Sequence, residues 1–181
     1  MKKLESYNLS KAHEHVGMKW RWLSLALVIL QAAFLISCST IDCPFNNHVY
    51  TKYKLAGDVS KLTDYLTIST NKFDDSDPVL INNISDVDSF MLPMSYNRPE
   101  DVLFFSRSSV SGGLTVVDTV TIKKQDTPHF ESIDCNPSYF HRIEGIRYTH
   151  HGIDSIVIKN TNVTYDESKT HFEIYFKILG Q

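Results

Sequence analysis

Three thiols are available to this chain, Cys38, Cys43 and Cys135, and two of them stand five positions apart in the stretch FLISCSTIDC. A thiol can be acylated, join a disulfide, bind a metal or attack a carbonyl, and the surrounding residues decide which. Metal binding finds no pattern: residues 38–181 hold six histidines (His48, His129, His141, His150, His151, His171) but no HExxH, CxxC or His-x-His. The run Asp74-Asp75-Ser76-Asp77 lacks the glycine and distal glutamate of a calcium loop, and Pro78 follows it directly. Serines are plentiful, yet there is no GxSxG elbow and no glycine-rich phosphate loop, with only seven glycines in the chain. No catalytic residue, metal or cofactor is therefore expected, and an envelope hydrolase is the least favoured of the readings kept open.

The residues before Cys38 give its thiol a task. Leu23 to Ile36 is a run without charge, Pro or Gly, preceded by Lys19 and Arg21. It is shorter than the about 20 residues of a membrane span and fits the apolar segment of an export signal. Leu35-Ile36-Ser37-Cys38 resembles a bacterial lipobox. That resemblance implies diacylglycerol transfer to the Cys38 sulfur, cleavage between Ser37 and Cys38, and acylation of the new amino terminus. Several acyl chains together hold a protein on a membrane that one chain holds only marginally. Residues 1–37 are then the signal peptide, with residues 1–17 a polar stretch that a start at Met18 would remove. An uncleaved anchor is the alternative.

With Cys38 acylated, Cys43 and Cys135 remain as an even pair in an oxidising compartment. A disulfide between them would close a loop of about 90 residues, worth roughly 4–5 kcal/mol on chain-entropy grounds. Two separate buried thiols are the alternative.

The elements that must position these groups read as strands. Residues 38–46 are expected to form a short lipid-anchored linker and residues 47–181 one domain. Val49, Thr51, Tyr53 and Leu55 alternate with Tyr50, Lys52 and Lys54, and Leu62, Leu66 and Ile68 share a face with Asp64. Further candidates are 78–82, 88–96, 101–107, 115–124, 129–135, 139–150 (where a helical turn is an alternative at the start), 153–160 and 171–179. Turn signals separate them, among them Gly57-Asp58, Ser111-Gly112-Gly113 and Asn136-Pro137. Nine or ten short strands predict an all-β antiparallel sandwich, immunoglobulin-like or jelly-roll-like, behind an N-terminal signal helix. Phe90, Phe104, Phe105, Phe130, Phe140, Phe172 and Phe176 are expected in the core. Tyr50, Tyr53, Tyr96, Tyr139 and Tyr148 are the residues whose exposure would make a binding face.

Charge narrows the partners. The chain carries 18 basic and 21 acidic residues, and residues 38–181 hold 13 and 19 of them, so the exported part is net −6. Nucleic acid is excluded on that ground. A membrane through Cys38, and an envelope protein or glycan, are the partners expected.

The stretches CSTIDCPFNN, FMLPMSY, DTPHFESIDC and IDSIVIKNTNVTYD together resemble an uncharacterised lipoprotein family of Bacteroides-type bacteria. In that family a second cysteine precedes Pro-x-Asn-Asn and a Thr-Pro-His-Phe-Glu-Ser block carries the third. Cys38, Cys43 and Thr127–Cys135 occupy those places here. The resemblance implies an anchored envelope protein with a Cys43–Cys135 bridge; the family brings no established activity and so implies no catalytic residue. Surface-exposed lipoproteins of such bacteria carry an acidic run after the lipid cysteine. Ser39–Asp42 holds one acid, which favours the periplasmic face of the outer membrane.

Overall fold

The computed structural model describes Cys43, residues 48–71 and residues 78–180. The signal peptide, Ser37, Cys38 and nearly all of the linker lie outside the described residues. Ten strands and no helix are found among the described residues: β1 Tyr50–Ala56, β2 Tyr65–Thr70, β3 Val79–Ile84, β4 Ser89–Pro93, β5 Glu100–Ser108, β6 Thr115–His129, β7 Ser138–Tyr148, β8 Ile153–Ile158, β9 Asn162–Val163 and β10 Phe172–Phe176. They form a β-sandwich of a four-stranded sheet, β4-β1-β10-β8, and a six-stranded sheet, β3-β2-β5-β6-β7-β9. Every pairing is antiparallel except β1 with β10, which run parallel at the centre of the smaller sheet.

Period-two alternation decides which side chains turn inward. β1 buries Thr51, Tyr53 and Leu55, and β10 buries Phe172, Ile174 and Phe176. They face Leu66, Ile68, Leu103, Phe105, Val120, Ile122 and Ile143 of the larger sheet in one continuous core. Tyr53 sits at its centre, stacked on Phe90 at 5.0 Å and Phe172 at 4.8 Å. Asn83, at the register shift within β3, and Asp86, between β3 and β4, stand at φ 54° and 63°, a left-handed conformation that these two residue types tolerate.

Two expectations are corrected. Residues 129–135 do not form a strand of their own: His129 ends β6, where the β6–β7 register closes at His129↔Ser138, and 130–137 is the connecting loop. Pro137 has no N–H to give a ladder, and Cys135 is tied elsewhere by its sulfur. Phe130 consequently leaves the core and is 60% exposed, and Phe104 is half-buried outside it, while Phe140 is partly buried and packed against the core. The start of 139–150 is strand as expected, and the helical-turn alternative there falls away.

Candidate functional site: the two ends of the sandwich

The inner faces of β5 and β6 carry charge at both ends and hydrocarbon between. Reading along β5, the inward residues are Asp101, Leu103, Phe105 and Arg107; along β6 they are Asp118, Val120, Ile122 and Lys124. Because β5 and β6 run antiparallel, Asp101 and Lys124 gather at one end and Arg107 and Asp118 at the other.

At the Arg107 end the polar groups clasp the two sheets together. The Asp118 carboxylate accepts hydrogen bonds from Thr149 Oγ1 (2.7 Å) and from the backbone N–H groups of His151 (2.7 Å), Gly152 (2.6 Å) and Ile153 (2.9 Å). Those N–H groups belong to the turn that carries the chain from β7 in one sheet to β8 in the other, and to the first residue of β8. Burial pushes the Asp118 carboxyl up, and these four bonds outweigh it and hold it below the usual aspartate range. Gly152 is required here: a Cβ would lie 2.6 Å from Val116 Cγ2. The fully buried Arg107 donates to Asp64 (2.5 Å), the Lys177 carbonyl (3.0 Å) and the Gly152 carbonyl (3.3 Å), and lies over the Phe176 ring at 4.4 Å. Burial pulls its guanidinium down from the usual value, and Asp64 and Asp118 oppose that, so it stays protonated. A shallow cleft of about 460 Å³ opens at this end, lined among others by Asp58, Asp154, Tyr175 and Lys177.

At the opposite end, Lys124 is enclosed. Its ammonium donates to the carbonyls of Ser95 (2.5 Å) and Arg98 (2.8 Å) and to Asp126 (2.7 Å), which uses all three of its protons. His141 Nδ1 meets the same Asp126 oxygen at 2.7 Å. Burial lowers the His141 pKa, so the ring is neutral near pH 7 and donates its Nδ1 proton. The Ser95 hydroxyl donates to Asp101, and the Tyr165 hydroxyl to Ser138. A Lys–Asp–His set invites a catalytic reading, but each polar hydrogen named here is committed to a structural acceptor. A cleft of about 240 Å³ beside it is lined by Thr70, Ser95, Arg98 and Asp101 among others.

This second end also holds the cysteines. Cys43 and Cys135 form a disulfide with Cα atoms 5.5 Å apart, joining the start of the described chain to the β6–β7 loop. Aromatic side chains surround the loop. Tyr96 stacks on Tyr139 at 5.0 Å on one face of the hairpin; His129, Phe140 and Tyr165 pack together on the other. Of the five tyrosines proposed as a binding face, Tyr53 is wholly buried, Tyr50 and Tyr148 are half-buried, and Tyr96 with Tyr139 forms the one stacked pair.

The histidines are distributed as strand positions demand. His171 is buried, with Nδ1 accepting from the Lys52 N–H at 3.0 Å, whereas His150 and His151 are exposed in the β7–β8 turn. No group of three or more His, Cys, Asp or Glu side chains suited to a metal ion occurs among the described residues. The inward-facing charges were missed from sequence, although the alternation that places Leu103 and Phe105 inward places Asp101 and Arg107 with them.

No curated protein and no solved structure matches the chain. Residues 65–176, which run from the first residue of β2 to the last of β10 and so contain Arg107, Asp118, Lys124, His141 and Cys135 but not Asp64 or Lys177, match the model of a family of unknown function, DUF6452, and the chain belongs to that family.

Proposed function

We propose that this protein is an exported, lipid-anchored component of the cell envelope whose β-sandwich acts by binding or assembly rather than by catalysis. The observation that carries the reading is the Cys43–Cys135 disulfide. A disulfide joining distant parts of a small domain belongs to an oxidising compartment. It also leaves Cys38, at the end of the apolar run and after Leu35-Ile36-Ser37, as the one cysteine outside the bridge. Acylation there, with cleavage between Ser37 and Cys38, would hold the domain on the outer membrane, facing the periplasm. The commitment of Lys124, His141, Arg107 and Asp118 to carbonyls, amides and one another supports a scaffold role. Replacing Cys38 by Ser tests the anchor: the protein should move from the membrane to the soluble fraction. Gentle cross-linking of cells bearing the anchored protein should give a discrete heteromeric product, and a partner-free chain would overturn the assembly role.

A second reading, a glycan- or peptide-binding module, rests on Tyr96, which is 54% exposed and backed by Tyr139. It requires saturable binding of an oligosaccharide or peptide that Tyr96→Ala abolishes.

A further inference from the structure

We propose that the β6–β7 loop, residues 130–137, together with the tyrosines beside it, is the face of the domain that seats in the interfacial layer of the lipid bilayer. The inference rests on the anchor reading above and adds to it an orientation and a second membrane contact.

Covalent continuity comes first. The loop is bound through Cys135 to Cys43, and Cys43 stands five residues after Cys38. Five residues reach at most about 18 Å when fully extended. An acylated Cys38 lies at the bilayer surface, so the disulfide keeps this loop within that distance of the lipid.

Composition agrees. Ile133, midway along the loop, is 97% exposed, and Phe130, its first residue, is 60% exposed. Tyrosine, with an apolar ring and a polar hydroxyl, is enriched where membrane meets water. Tyr96 and Tyr139 flank the loop on one face of the hairpin and Tyr165 on the other, so amphipathic rings surround two exposed apolar side chains. The loop also carries Glu131 and Asp134, of which Glu131 pairs with His129 at 3.1 Å. The contact is therefore apolar in origin and needs no anionic lipid.

The orientation follows from β6. It runs for 15 residues from Thr115 to His129 and spans roughly 45 Å at the usual rise of a strand. The 109–114 hairpin tip and the Arg107–Asp118 clasp then lie far from the lipid, with the cleft bounded by Asp58, Asp154 and Tyr175 open to the compartment.

The test uses tryptophan. Both tryptophans, Trp20 and Trp22, precede Cys38, so a chain cleaved at that residue has none. Ile133→Trp places a single reporter at an exposed position whose replacement does not disturb the core. Leu114→Trp, 40% exposed at the other end of β6, is the control. The acylated variants are extracted from membranes, their intact masses measured, and each is reconstituted into phosphatidylcholine vesicles with brominated acyl chains. Ile133→Trp should emit to the blue of Leu114→Trp and be quenched at least threefold more strongly, with no change between low and high salt. Equal, water-like emission from both variants, on chains whose mass shows acylated Cys38, overturns the proposal and leaves the anchor standing; the loop would then serve a protein partner. A mass showing an unacylated chain that retains Trp20 and Trp22 overturns the anchor and this orientation together.

Discussion

Replacing Asp118 by Asn removes one charge and exchanges one carboxylate oxygen for an amide nitrogen, at a site where four donors converge. Hydrogen bonds to a charged acceptor contribute about 1.5–3 kcal/mol each, though such terms do not add within one network. The amide oxygen can keep two of the four. With that oxygen kept on the Gly152 and Ile153 N–H groups, the –NH2 group faces the Thr149 hydroxyl, which can accept from it, and the His151 N–H, which loses its acceptor. Arg107, for which Asp118 is the lesser of two compensating carboxylates, is left with Asp64 as its one anionic partner. Losing one partner of a buried charged arrangement costs about 3–5 kcal/mol, and the retained oxygen places this variant near the lower figure. For a domain of this size that corresponds to a fall in melting temperature of roughly 10–15 °C. Thermal denaturation followed by far-UV circular dichroism, with the disulfide intact, measures it. Thr149→Val, which removes one of the four donors, should cost about 1–2 kcal/mol. Asp154→Asn, the same charge change on an exposed side chain just past the turn, should stay within about 0.5 kcal/mol of the parent. A melting temperature for Asp118→Asn equal to that of Asp154→Asn would refute the view that this carboxylate ties the two sheets together.

Other consequences follow from the same geometry. Joint replacement of Cys43 and Cys135 by Ser opens a bridge with a sequence separation of 92, and should lower stability by about 4–5 kcal/mol in urea denaturation. A change below about 1 kcal/mol would mean that the unfolded chain is not constrained by the bridge. Stability should also fall in acid in two stages. Burial lowers the pKa of His141, against the opposing bond to Asp126, and burial likewise lowers that of His171. The unfolded histidines take up protons near pH 6.5, so their contribution is complete above that value and is lost as pH falls through the lower folded values. Asp118 gives the second stage: its contribution is present above the ordinary aspartate value of 3.8 and lost below it. Melting temperatures measured from pH 8 to pH 3 should show both steps, with His141→Gln and His171→Asn reducing the upper one alone. Gly152→Ala should destabilise by about 1–3 kcal/mol, since its Cβ meets Val116 in a packed turn.

The strands were legible because alternation is a local signal. Val49–Leu55 and Leu62–Ile68 announce in sequence which side chains turn inward, and the structure buries those residues. The stretch 129–135 reads as a strand because Phe130 and Ile133 look like core residues; only the register of β6 on β7 and the tie to Cys43 exclude them. β9, two residues paired through His141↔Val163 and Arg142↔Asn162, is too short for any periodicity to show. The polar clasps were partly visible. Asp64 was placed on the apolar face with Leu62 and Leu66, and Arg107 reaches it there. Its other contacts, and the capture of the His151–Ile153 amides by Asp118, join residues distant in sequence. Such pairings depend on strand order, which no local pattern carries. The parallel neighbours β1 and β10 show the same limit, since they stand at opposite ends of the described chain.

The intact mass of the membrane-extracted protein, taken before and after reduction, tests anchor and staple at once. The anchored, bridged protein should begin at Cys38, carry the added mass of two or three acyl chains, and gain two hydrogens on reduction. A chain that retains residues 1–37, bears no lipid and gains nothing on reduction would contradict both the envelope anchor and the disulfide from which its orientation was argued.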